Sequence, residues 1–137
     1  MGKEINFWGK EREKIMQISN VETIYKENMM HFISFRININ NDFLKLNTVL
    51  ESEFNDFVHL SKSLQLMCQE KKNIVRFMPF QGGISIKFEM IDLSNIHVST
   101  EIWNVLPYSC HITFKYTTDQ SFLPELIDEI EMLIKDL

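Results

Sequence analysis

Two cysteines, four histidines and a closing run of carboxylates are the residues of this 137-residue chain whose types suit chemistry. A nucleophilic thiol needs a base beside it. Cys110 and His111 are adjacent, but they open an alternating run, HITFKY, and neighbours on a strand point to opposite faces. They are read as two unrelated side chains. Cys68 falls on the apolar face of a helical pattern and reads as a small core residue. His31, His59, His97 and His111 show no HxH, HxxxH or HExxH spacing, so no metal ligand set is read. Gly82 and Gly83 precede a strand rather than a helix and a lysine, so they make no phosphate-cradling loop. No catalytic, cofactor-binding or metal-ligating residue is assigned, no cofactor is expected, and the chain is read as a non-enzyme.

The carboxylates Glu125, Asp128, Glu129 and Glu131 lie in the closing stretch SFLPELIDEIEMLIKDL. On an exposed face their pKa values are not tuned for acid–base work. Two readings remain: the wet side of a structural helix, favoured by acids near its positive end, or a docking surface for a basic partner. Phe80, Trp103 and Tyr108 sit near expected strand ends. They are read as core rim, or as an aromatic anchor of an interface if they emerge together.

The elements that position these residues follow from periodicity. In GISIKFEM, HITFKY and HFISFRINI, apolar and polar residues alternate, as in strands with one buried face. INFWG, KIMQIS with an extension, 43–50 and 95–103 are further strands. QGG at 81–83 reads as a hairpin turn and DLSN at 92–95 as the next, so residues 74–117 form a four-strand meander. From Ser52, a candidate N-cap, Phe54, Phe57, Val58, Leu64, Met67 and Cys68 recur at helical spacing to about residue 70. Leu123, Leu126, Ile127, Ile130, Leu133, Ile134 and Leu137 do the same, and Pro124 fits only a first turn. The expected fold is α+β: a mostly antiparallel sheet of seven or eight strands, open or strongly curved, with two helices on one face, the second at the C-terminus.

The length and a composition of 45% hydrophobic and 24% charged residues fit one domain, residues 1–137. No linker or internal repeat is visible, and the longest apolar runs are too short to span a membrane. The charged N-terminus lacks a signal-peptide core, and the cysteines form no CxxC pattern, so a cytoplasmic compartment is expected. The absence of alanine beside plentiful isoleucine, asparagine and lysine suggests an AT-rich, bacterial genome. Net charge is −5, and residues 116–137 carry one base against six acids. No basic stripe in the sequence suits a phosphate backbone, so nucleic acid is not expected as a partner, and neither is a membrane.

The succession FISFRININNDFLKLN, ESEFNDFVHLSKSL, GGISIKFEM and ITFKYTTDQ leading into SFLPELIDEIEMLIKDL resembles small bacterial immunity proteins of polymorphic, contact-dependent toxins. The resemblance covers residues 31–137, including Glu53, Phe54 and Phe57 at the first helix. It implies a catalytically silent protein that binds and neutralises a toxin, here a basic one, and it carries over no binding residue. The alternatives are a small-molecule-binding or enzymatic domain with a pocket between sheet and helices, and a homodimeric scaffold joined at a sheet edge. A monomer or a homodimer is expected.

Overall fold

The computed structural model describes residues 3–79, 82–103 and 111–137. Eight strands and two α-helices follow one another as β1 (Ile5–Trp8), β2 (Lys14–Glu27), β3 (Met30–Asn40), β4 (Lys45–Glu53), α1 (Phe54–Cys68), β5 (Ile74–Phe77), β6 (Ile84–Met90), β7 (Asn95–Trp103), β8 (His111–Asp119) and α2 (Leu123–Lys135). All pairings are antiparallel. The α+β class, the strand number, the meander and the terminal helix are as the periodicity predicts. The strands divide into two four-stranded sheets, β1-β2-β3-β4 and β5-β6-β7-β8.

The chain therefore runs through four strands and a helix twice. No residue repeat betrays this, but the burial pattern does. β4 and β8 share their burial pattern at all but one position, Glu51 against Thr117, and each carries a buried hydroxyl residue next to its end, Ser52 and Thr118. Aligning those two brings Phe57 opposite Leu123, Leu60 opposite Leu126, Leu64 opposite Ile130 and Met67 opposite Leu133, all of them buried. The two units share a pattern of inward positions, which backbone geometry imposes, and not residue identity.

Each helix starts where its strand runs out. The cap of α1 is Glu53, not Ser52: β4 continues through residue 53, and Ser52 is its last inward position. Asp56 reaches back to accept from the Glu53 N–H at 2.9 Å, as in a capping box. Ahead of α2, Asp119 accepts from the Ser121 N–H at 2.9 Å, and Pro124 lies in the first turn. α1 stops at Cys68, two residues short of the predicted end, with Glu70 in left-handed backbone (φ 60°).

The helices pack on each other, α1 also on β3, β4 and β5, and α2 also on β1. Each helix thus touches the first strand of the other unit. One hydrophobic cluster joins both sheets and both helices. At its centre Phe57 of α1 lies edge-on to Phe35 of β3 at 5.5 Å between centroids and tilted against Phe77 of β5 at 5.0 Å. Aromatic pairs in such geometries add to simple area burial.

The outer edge of β1 is closed by α2. Glu129 accepts from the Asn6 backbone N–H and from its side-chain amide, both at 2.9 Å. Glu129→Ala leaves that N–H unpaired beneath the helix, a loss of about 2 kcal/mol. Faster hydrogen exchange at Asn6 and a lower melting temperature, with the fold retained, are the expected readouts.

Candidate functional site

The terminal acids are mostly engaged within the molecule. Glu125 forms a two-pronged pair with Arg12, at 2.7 and 2.9 Å. The same guanidinium lies over Trp8 at 4.4 Å and Phe122 at 4.9 Å, so it ties the first hairpin to the start of α2. Arg12 also holds the Glu125 carboxyl below its ordinary range by hydrogen bonding and charge. Glu129 caps β1, and Glu131 accepts from Ser61 and, at 2.9 Å, from Gln65 on α1. Only Asp128 of the four is exposed without a bonding partner among the described residues. Phe80 and Tyr108 lie outside the described residues. Trp103 is half-buried at the end of β7 and meets His111 edge-on at 6.4 Å.

A different surface gathers charge. Strand register places Arg76 (β5), Lys87 (β6), Ser99 (β7) and Lys115 (β8) in one row across the solvent face of the second sheet. Neighbouring strands lie about 4.8 Å apart, so the row spans roughly 14 Å. Arg76 and Lys87 face each other directly, a like-charge juxtaposition that disfavours the sheet. The next row is Ile74, Glu89, His97 and Thr117. Glu89 reaches Lys87 at 3.8 Å, while Glu101 is engaged by His111 at 3.0 Å. A shallow groove of about 380 Å³ runs along the face, lined by Lys87, Glu89, His97, Ser99, Lys115, Tyr116 and Thr117. Among the described residues Arg76 and Lys115 form no salt bridge.

Alternation marked Lys87 and Lys115 as solvent-facing. Their alignment depends on where each hairpin turns. The β6–β7 turn is set by Asp92, which accepts from the Ser94 and Asn95 N–H groups at 2.8 Å and from the Asn95 side chain at 2.9 Å. These bonds hold the Asp92 carboxyl far below the usual carboxylate range, the Asn95 side chain contributing most. A depressed pKa means stability that is full above about pH 4, the unfolded value, and is lost as pH falls toward the folded one. Asp92→Asn is expected to lower the melting temperature near neutrality and to flatten its fall in acid, as thermal melts across that range will show.

Other chemistry-bearing groups are dispersed. Cys68 is a half-buried free thiol on α1, and burial pushes its pKa up, away from a reactive thiolate. Cys110 lies outside the described residues. His31 stacks on Phe54 at 4.6 Å and bonds Thr23 at 2.9 Å, and burial lowers its pKa. No group of three or more His, Cys, Asp or Glu among the described residues is placed to hold a metal. The recess between β1, β8 and α2, lined by Trp8, Phe88, Tyr116 and Leu126 among others, measures about 10 Å³, room for about one water. No helix among the described residues is long and apolar enough to cross a membrane.

No family model and no curated protein matches the chain. Among solved structures it is similar to MRP1/MRP2 of Trypanosoma brucei, with 7% identity and a TM-score of 0.41 over 98% of this chain and 84% of that one. It is likewise similar to the plant transcriptional regulator PBF-2, with 9% identity and a TM-score of 0.42 over 98% of this chain and 80% of that one.

Proposed function

We propose that this protein is a non-catalytic binding module that receives an acidic segment of a protein partner on the solvent face of its second sheet. The observation that carries this reading is the Arg76–Lys87–Ser99–Lys115 row. On a protein of net charge −5 the row holds three cations, of which Lys87 has only the loose Glu89 contact at 3.8 Å and Arg76 and Lys115 have no salt bridge among the described residues. Lys87 and Lys115 stand two strand spacings, about 10 Å, apart, wide enough for a side chain to enter over the Ser99 hydroxyl. Glu89 and Glu101 flank the row and disfavour a continuous phosphate backbone, whereas a peptide of mixed polarity tolerates them. The acidic face of α2, the docking surface expected for a basic toxin, supports the reading less, because Glu125, Glu129 and Glu131 already have partners.

Titration with a short poly-glutamate peptide, followed by backbone amide shifts, tests this. Shifts centred on β6, β7 and β8 that weaken with salt are expected. Shifts elsewhere, none at all, or a response to inorganic polyphosphate alone would overturn it. An immunity role is the specific form of the reading, and co-expression with any toxin domain found encoded next to this gene tests it. Failure to protect the cells would exclude that form.

A further inference from the structure

The first sheet carries a row of amides, Asn6, Gln17, Asn38 and Asn47, aligned across its four strands. The row also tells which way each backbone faces. The Asn6 N–H points away from β2, to Glu129. In antiparallel ladders, pairs that exchange backbone hydrogen bonds alternate with pairs that do not, and a residue directs both its N–H and its C=O to one side. Gln17 therefore faces β3, Asn38 faces β2, and Asn47 faces out of the sheet. The β3–β4 register is unbroken from Asn40↔Lys45 to Phe32↔Glu53. Lys45, Val49 and Glu51 accordingly face outward with Asn47.

β4 is thus a straight edge without proline or bulge, the kind that pairs with another strand. The edge of β1 is covered by Glu129, and β8 receives the Lys10 N–H on its Thr117 carbonyl at 2.8 Å. Among the described residues nothing bonds to the outward groups of β4. Val49 is 52% exposed, and Phe43, just before the strand, is 98% exposed.

We infer that the β4 edge is a docking surface for the β4 edge of a second copy of this chain. The sequence from Lys45 to Glu51, KLNTVLE, is complementary to itself when read antiparallel. With the two-fold axis through Thr48, Lys45 lies opposite the second copy's Glu51, and Leu46 opposite its Leu50. Asn47 lies opposite Val49, and Thr48 meets itself. The outward-facing residues 45, 47, 49 and 51 then form the hydrogen-bonded pairs, as the ladder requires. Leu46 and Leu50, both half-buried in the single chain, cover each other on the inner face. Sliding by one residue puts Leu46 opposite Glu51 and turns one strand's faces over, so the register is specified. The product is a continuous eight-stranded sheet with an isologous interface.

Sedimentation velocity of the full chain across the micromolar range tests this with three variants. Val49→Pro removes an outward N–H and none of the bonds to β3, a position where proline is tolerated. It should leave the chain folded and monomeric. Lys45→Glu should weaken the dimer at least about tenfold. Lys45→Glu combined with Glu51→Lys should restore it, because the exchange rebuilds both charge pairs. A wild-type chain that stays monomeric overturns the inference, and so does a dimer that folded Val49→Pro leaves intact. If Val49→Pro does not fold, the charge exchange decides: no weakening by Lys45→Glu, or no recovery in the double variant, overturns it.

Discussion

The Ile130→Asp variant is expected to show no cooperative melting transition. Ile130 is wholly buried, in the middle of α2, within the single cluster that joins both sheets and both helices. Among the described residues that cluster is hydrophobic and offers a carboxylate no counter-ion. Placing it costs about 4 kcal/mol or more, whether taken as burial of the charge or as protonation against the solvent pH. A domain this size has about 5–15 kcal/mol in total, and the substitution also removes a buried isoleucine. Scanning calorimetry and near-ultraviolet circular dichroism read the outcome, and a sharp native-like transition would refute the assignment of α2 as the closing element. Two controls on the same helix separate charge from position. Asp128→Lys, on the exposed side, should change stability by less than about 0.5 kcal/mol. Glu131→Lys should lie between the two, because it severs the bonds to Ser61 and Gln65 that join the helices.

Lys87→Gln combined with Lys115→Gln is expected to weaken poly-glutamate binding by about tenfold while leaving the melting temperature almost unchanged. Each exposed charge pair with a peptide carboxylate contributes under about 1 kcal/mol, and two together give roughly that factor. The stability side has the opposite balance. The variant loses the loose Lys87–Glu89 pair at 3.8 Å but also relieves the direct opposition of Arg76 and Lys87 across β5 and β6. These exposed effects are small and of opposite sign. A site selected for binding thus shows as a decoupling: affinity falls where stability does not. Equal binding by the variant and the parent would remove the second sheet's face from the proposal. The same substitutions on Lys45 or Arg36 of the first sheet should leave peptide binding as it was.

How much of this was legible beforehand differs by level. The strands were readable because one face of each is buried: Ile33, Phe35, Ile37 and Ile39 alternate with Ser34, Arg36 and Asn38, and the structure buries that set. The stripe from Leu123 to Leu137 was readable for the same reason at helical period, and Pro124 fits the first turn. The division into two sheets was not readable. Antiparallel strands joined by hairpins look alike whether the fourth and fifth share a sheet or are parted by a helix.

The site was legible only as parts. Alternation placed Lys87 and Lys115 on wet faces, yet nothing in the spacing of Arg76, Lys87, Ser99 and Lys115 along the chain signals one row. That row exists because three strand-pair registers, one pinned by the Asp92 turn, add up across four strands. The acids of α2 show the converse. Their local clustering was plain in the sequence, but their roles were decided by residues far along the chain: Arg12 for Glu125, Asn6 for Glu129, Ser61 and Gln65 for Glu131. Periodicity is a local property, written wherever a backbone repeat meets a buried face, so the sequence alone determined the elements and their inward sides. Which charges meet is set by register and by the docking of one unit's helix on the other's first strand. Those are non-local contacts, and only the tertiary structure decided them.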